Sequence, residues 1–371
     1  MRFIALAPLL LALLLPCGVS AKPEKKPKAT KALRTPAQTP GFGDPAHGGT
    51  PGRYAERPEV QTWMTRLAAE TGLDATDLKN ALEQARYQRR AAQLMMPAPA
   101  GVPKNWAAYR DRFIEPVRLQ TGLRFWAQHA DTLARAESQF GVPAALIMGI
   151  LGVETNYGQI MGNYRVLDAL ATLAFDFPGQ RSDRSPYFQG ELGAFLQLAK
   201  AEGRSPTDFK GSFAGAMGYG QFMPSSWRQY AVDFDGDAHI DLIGNPVDAI
   251  GSVANFLRQH GWTPGMPTHV SVERPPASES ARLLDRDIEP HWRLSQLQAA
   301  GQALPASTLE TLAQHEPWAF VELENGPKAP ESYLLGSKNF WVVTRYNRSA
   351  YYAMAVISLG ERLEQLRRAG Q

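Results

Sequence analysis

Cysteine is almost absent from this sequence: Cys17 is the only one in 371 residues. An internal disulfide framework and a multi-cysteine zinc or iron–sulfur site are therefore excluded. Long apolar runs are missing too. The longest, Phe3 to Leu15, falls short of the ~20 residues that a bilayer span needs, so no transmembrane span is expected. No H-E-x-x-H is present, and the seven histidines are scattered without ligand-like spacing. A G-x-S-x-G elbow is also lacking. Basic excess is missing where it would count for nucleic acid. The net charge of +3 conceals eight Lys/Arg against three Asp/Glu in residues 22–57, and residues 58–371 hold 30 basic against 33 acidic side chains. A mildly acidic body argues against a nucleic-acid-binding protein. What remains, with 44% apolar and 20% charged residues, is a chain that can bury a core in two or three domains.

The first 21 residues read as a signal peptide. Arg2 supplies the positive start, the apolar run follows, and Val19-Ser20-Ala21 offers small residues for cleavage after Ala21. A second reading is a bacterial lipoprotein acylated on Cys17. Leu14-Leu15-Pro16-Cys17-Gly18 has the leucine such signals favour, but Pro16 stands where a small residue is expected. Residues 22–57 hold Lys-Pro repeats and then glycine-rich turns. They bury too little to offset their ordering entropy and read as a flexible basic linker.

From Val60 the pattern turns helical. Trp63, Leu67 and Ala68 recur at helical spacing, as do Leu78, Leu82 and Ala85. After a proline-rich break at 96–103, a segment at 106–113 precedes one long amphipathic stretch from Leu123 to Phe140. Gly141-Val142-Pro143 ends that stretch and starts another helix. Further helices are expected at 188–201, 246–260 and 349–368. Thr268 to Val272 alternates in strand fashion, and Phe340-Trp341-Val342-Val343-Thr344 is strand-like. The expected fold is mainly α (α+β), with a small β-containing insertion.

Ile147, Ile150, Leu151 and Glu154 fall at i, i+3, i+4 and i+7, so a carboxylate continues the apolar stripe of its own helix. Gly158 is placed to end that helix, which puts Glu154 in the last turn. Desolvation and the negative end of the helix dipole would both raise its pKa. A rise to ~6.5 would increase the protonated fraction at pH 7 about a hundredfold, which is the poise a general acid needs. The alternative is a structural glutamate paired with an arginine such as Arg165.

Residues 210–227 are rich in glycine yet dense in aromatics and methionine, and their glycines miss the dinucleotide spacing G-x-G-x-x-G. Glycines admit a ligand close to the backbone, Ser212 and Gln221 offer hydrogen bonds, and Tyr219 and Phe222 offer stacking faces for sugars. A tight helix–helix turn is the other reading of this stretch.

Gly149 to Thr155, Gly211 to Ser226, Thr344-Arg345-Tyr346-Asn347 and Tyr352 to Val356 occur in the order of, and resemble, the motifs of the lytic murein transglycosylase B family. The resemblance covers about residues 60–370. It implies an N-terminal helical domain (58–140), a lysozyme-like catalytic core with a calcium loop (141–265), a small β-containing domain (266–335) and a C-terminal segment returning to the core (336–371). It also implies cleavage of the β-1,4 bond between N-acetylmuramic acid and N-acetylglucosamine in peptidoglycan, with a 1,6-anhydro product. Glu154 would act as acid and then base, assisted by the substrate's acetamido group. By the same resemblance Ser212, Gln221, Tyr109, Tyr187, Tyr346, Asn347 and Tyr352 line the sugar cleft, while Phe256 stands where a family tyrosine is expected. The implied partners are peptidoglycan glycan strands and cell-wall synthases. The implied location is the periplasm of a Gram-negative bacterium, with an outer-membrane lipoprotein as the second reading. A muramidase that hydrolyses the same bond and a non-catalytic peptidoglycan-binding scaffold are the competing functions.

Asp233, Asp235 and Asp237 open like an EF-hand calcium loop. Ala238 replaces the usual glycine and Gly244 stands where a closing glutamate belongs. The resemblance implies a longer loop that closes on Asp248, with His239 giving its main-chain carbonyl to a structural Ca2+. The other reading is an Asp-rich surface turn. No organic cofactor is implied.

Overall fold

A computed structural model describes residues 53–96, 103–179, 183–327 and 329–370. The leader, Cys17 and the basic linker as far as residue 52 lie outside the described residues. Helices predominate, and their apolar stripes and caps explain where they start and stop. Val60, Trp63 and Leu67 are the buried face of helix Pro58–Thr71. Helix Ala75–Gln84 buries Leu78, Ala81 and Leu82, and the Asp74 carboxylate accepts the N–H groups of Thr76 and Asp77 at its start.

The stretch expected as one long amphipathic element from Leu123 to Phe140 is two helices, Pro116–Gln128 and Ala130–Phe140, meeting at His129. Glu115 caps the first by accepting from Val117 and Arg118. No glycine or proline marks the break. His129 keeps its N–H on the Phe125 carbonyl and its carbonyl on the Leu133 N–H, so helical bonding continues on both sides of it. After Gly141, which takes φ +69°, the chain turns by 115° into helix Ala144–Thr155. Among the described residues no single helix is long and apolar enough to cross a membrane.

Helix Ala144–Thr155 packs lengthwise against the terminal helix Ala350–Ala369, deep in the larger core. Helices Val166–Phe175 and Ser185–Ala201 pair beside them, and Pro246–Gln259 closes another side. A three-stranded antiparallel sheet places Ser332–Gly336 between His269–Val272 and Ala319–Leu323. Its faces follow strand alternation. Val321 and Leu334 sit opposite each other and join the larger core, while the next pair, Phe320 and Leu335, joins a smaller core with Trp292, Trp318 and Leu312.

Residues 340–344, expected as a strand, belong instead to helix Lys338–Val343 and its C-cap. Aromatic and β-branched residues suggested extension. The Ser337 hydroxyl decides otherwise by accepting from the N–H groups of Asn339 and Phe340, and burial of Phe340, Val342 and Val343 completes the turn.

Candidate active site

Glu154 occupies the last turn of helix Ala144–Thr155, as its place in the apolar stripe requires. The stop is made by Asn156 rather than Gly158. Asn156 takes φ +50° and its N–H returns to the Gly152 carbonyl. Gly158, at φ +86°, has another task. A Cβ there would lie 2.2 Å from the Tyr219 ring, so only glycine lets the glycine-rich segment approach.

That segment is tied to the Glu154 helix at several points. The Thr155 hydroxyl donates to the Tyr219 carbonyl at 2.7 Å and accepts the Gly158 N–H at 2.9 Å. Tyr346 Oη donates to the Gly220 carbonyl at 2.7 Å. Gln221 is buried with φ +49°, and its amide donates to the carbonyls of Met161 and Gly218. Ser212 Oγ accepts the Ala216 N–H at 3.0 Å inside the same loop.

Tyr352, on the first turn of the terminal helix, donates its hydroxyl to Glu154 Oε1 at 2.5 Å. Burial pushes the Glu154 carboxyl up from 4.5 to about 8, against the opposing pull of the Tyr352 hydrogen bond. Three tyrosines feel its charge. Burial, and then Glu154, pushes Tyr109 up to about 12 and holds Tyr346 and Tyr352 well above 10. Tyr346 and Tyr352 stack at 14° with centroids 6.5 Å apart. Arg165 pairs instead with Asp168 at 3.0 Å, so the Glu154–Arg165 alternative does not form.

The structure thus gathers Glu154, Tyr109, Tyr346 and Tyr352, and the glycine-rich segment meets them at Tyr219 and Gly220, while Ser212 and Gln221 are held by bonds to Ala216, Gly218 and Met161. Asn347 is buried next in chain to Tyr346. Tyr187 belongs to a different set of contacts, with the Arg184 guanidinium over its ring and its hydroxyl bonded to Glu191. Phe256 is buried edge-on against Tyr346 at 4.8 Å. That contact needs only a ring.

The acidic loop brings Asp233, Asp235 and Asp248 together, each offering an oxygen within 4.8 Å of the others. Oxygen donors of this kind suit a hard divalent cation. Ala238 takes φ +69°, the left-handed conformation reserved for glycine at that loop position. Asp248 is fully buried and accepts from the N–H groups of Phe234 and Asp241. Asp237 lies outside this trio and accepts the His239 N–H. The His239 side chain turns to Glu202 at 2.7 Å.

A family model described as the transglycosylase SLT domain matches residues 55–361. The membrane-bound lytic murein transglycosylase B of Escherichia coli K12 is 41% identical over 373 residues, covering 97% of each chain. The chain belongs to the lytic murein transglycosylase B family. Its fold agrees with the solved structure of the Escherichia coli lytic transglycosylase Slt35 in complex with bulgecin A, at 43% identity and a TM-score of 0.74 over 85% of this chain and 96% of that one. The same enzyme has been solved in complex with calcium, at 42% identity and a TM-score of 0.73 over the same shares. SltB3 of Pseudomonas aeruginosa, solved with NAG-anhNAM-pentapeptide, is 29% identical with a TM-score of 0.65 over 82% of this chain and 79% of that one. This transglycosylase is therefore mainly α with a lysozyme-like core, and it is a peptidoglycan lytic enzyme.

Sequence reasoning missed the anchoring roles of Thr155 and Asn245. Thr155 directly follows Glu154, but nothing in the sequence pointed its hydroxyl at residue 219. Asn245 caps helix Pro246–Gln259 and also donates to Asp235 at 2.7 Å. Its place before a proline was the available signal. The transglycosylase should also report the Tyr352 bond directly. Tyr352→Phe removes a donor that favours the ionised carboxylate, so the Glu154 pKa should rise further. The alkaline limb of kcat/KM should then move to higher pH, whereas an unmoved limb would contradict the assignment.

Proposed function

We propose that Glu154 is the single acid–base group with which this transglycosylase cleaves the β-1,4 bond between N-acetylmuramic acid and N-acetylglucosamine. The observation that carries the reading is a lone carboxyl, raised to about 8 by burial and coupled to tyrosines rather than to a second carboxylate among the described residues. A hydrolysing glycosidase ordinarily needs two carboxylates, whereas a substrate-assisted one does not.

Protonated at neutral pH, Glu154 donates its proton to the leaving oxygen. The acetamido group of the muramyl residue stabilises the developing cation. Glu154, now ionised and held by Tyr352 Oη, takes the proton of the muramyl C6 hydroxyl as that oxygen closes on C1. Proximity favours this intramolecular attack over water, because effective molarities reach about 10⁵–10⁸ M. Ser212, Tyr346 and Gln221 lie nearest the reacting sugar, and Tyr346 and Tyr352 offer it their rings, because their hydroxyls stay on the Gly220 carbonyl and on Glu154. Tyr109, Tyr352, Asn347 and Tyr187 extend the cleft along a peptidoglycan glycan strand. Mass spectrometry of digested sacculi tests this. Anhydro ends support it, and products heavier by one water indicate a muramidase instead.

Asp233, Asp235 and Asp248, with Asp237 and the His239 carbonyl, are the residues that would hold a structural calcium ion. The ion would neutralise clustered carboxylates and stiffen the loop before helix Pro246–Gln259. Added calcium should raise the calorimetric melting temperature, and Asp248→Asn should remove the rise. An unchanged melting temperature in wild type would refute the calcium reading. The leader supports a periplasmic location.

A further inference from the structure

Helix Ser185–Ala201 buries Phe188, Leu192, Phe195 and Ala199, and Glu191 falls on the same face with only 4% of its surface exposed. An ionisable group in such a place is disfavoured unless donors satisfy it. Glu191 has them. Oε1 accepts the Ser225 hydroxyl at 2.6 Å, Oε2 accepts the Ser225 N–H at 3.0 Å, and the Tyr187 hydroxyl bonds to the same carboxylate. Glu154 is not among these partners, so the proton transfers described above leave Glu191 unused.

The donors come from two places. Ser225 lies at the end of the glycine-rich segment, in the first turn of helix Pro224–Tyr230. Tyr187 lies near the start of its own helix, with Arg184 over its ring at 4.9 Å. We infer that Glu191 is a positioning residue for glycan binding, its carboxylate locking the Tyr187 ring to the Ser225 end of the glycine-rich segment. The inference rests on the reading of Tyr187 and that segment as walls of the glycan cleft. A carboxylate fits because it only accepts, and it can accept from all three donors at once. A glutamine keeps the shape but turns an NH2 toward one of them, leaving a donor opposed. The two walls then lose their fixed spacing while Glu154 is untouched.

The test is steady-state kinetics on soluble glycan chains of alternating N-acetylglucosamine and N-acetylmuramic acid, well below the melting temperature. Glu191→Gln and Tyr187→Phe should each raise KM by about 5–10-fold, the scale of one lost hydrogen bond. Their kcat and its pH profile should be retained. The double variant should be no worse than the poorer single one, because both changes break one contact. Ser225→Ala, which removes one donor, should show a smaller rise and carries the test if Glu191→Gln does not fold. Glu191→Gln with a lowered melting temperature and an unchanged KM would make the residue merely structural. If that occurs while Tyr187→Ala raises KM, the cleft reading stands and only the positioning role falls. An unchanged KM in Tyr187→Ala removes the cleft reading of Tyr187, and the positioning role with it.

Discussion

Glu154→Gln should lower kcat by about 10²–10⁴-fold while glycan binding persists, because a positioned acid–base group contributes on that scale. The amide keeps the volume of the carboxyl and an oxygen for the Tyr352 hydroxyl, so the cleft should keep its shape. Full turnover in the variant would remove Glu154 from the mechanism. The same substitution should affect stability with a definite sign. The folded carboxyl titrates near 8 against an ordinary value of 4.5. Between those values the folded chain holds a proton that the unfolded chain has released, so stability is lost as pH rises from 4.5 toward 8. Glutamine has no charge to bury. Glu154→Gln should therefore melt above wild type at pH 8 and level with it at pH 4, a divergence that differential scanning calorimetry would record. Equal melting at both pH values would mean that the carboxylate is not penalised by its site.

Gly149→Ala should unfold the protein at markedly lower denaturant and also damage catalysis. A Cβ on Gly149 would lie 2.1 Å from the Val356 carbonyl oxygen, and one on Gly360 would lie 2.1 Å from the Ala145 carbonyl oxygen. The obstacles are backbone atoms on both sides, so no rotamer change relieves them. The two helices approach this closely only because each presents a glycine to the other's main chain, and these are the helices that carry Glu154 and Tyr352. Forcing them apart should cost about 3 kcal/mol, the upper part of the usual range for overpacking. It should also lengthen the Glu154–Tyr352 bond, with a kcat loss on the order of tenfold, corresponding to about 1.4 kcal/mol in the barrier. Urea titration and steady-state kinetics on Gly149→Ala and Gly360→Ala would check both effects. A stable variant of normal activity would show that the crossing does not set the site.

The helical frame was legible where an apolar stripe was contained in one stretch of sequence, as at the expected 188–201, 246–260 and 349–368, which are helices at 185–201, 246–259 and 350–369. Glu154 was legible for the same reason, since its stripe is contained in one helix. The partner that holds it was not derivable from spacing, because Tyr352 lies 198 residues away. Tyr352 came only from the resemblance, as did the pairing of Asp248 with Asp233 and Asp235. The break at His129 was invisible because nothing there disfavours a helix. The helix at 338–343 was misread because β propensity in Phe-Trp-Val-Val outweighed, on paper, one capping serine. Glu191 carried the signal that marks Glu154, a carboxyl within the stripe of Phe188, Leu192 and Phe195, but no spacing in the sequence pointed Ser225, 34 residues away, at it.

The most direct measurement is the titration of Glu154 itself, by carbon NMR of glutamate labelled at the side-chain carboxyl, with Glu154→Gln assigning the resonance. One carboxyl should stay protonated through pH 6 and ionise near 8 in the free enzyme. A Glu154 resonance that titrates between pH 4 and 5, with and without glycan, would contradict the account.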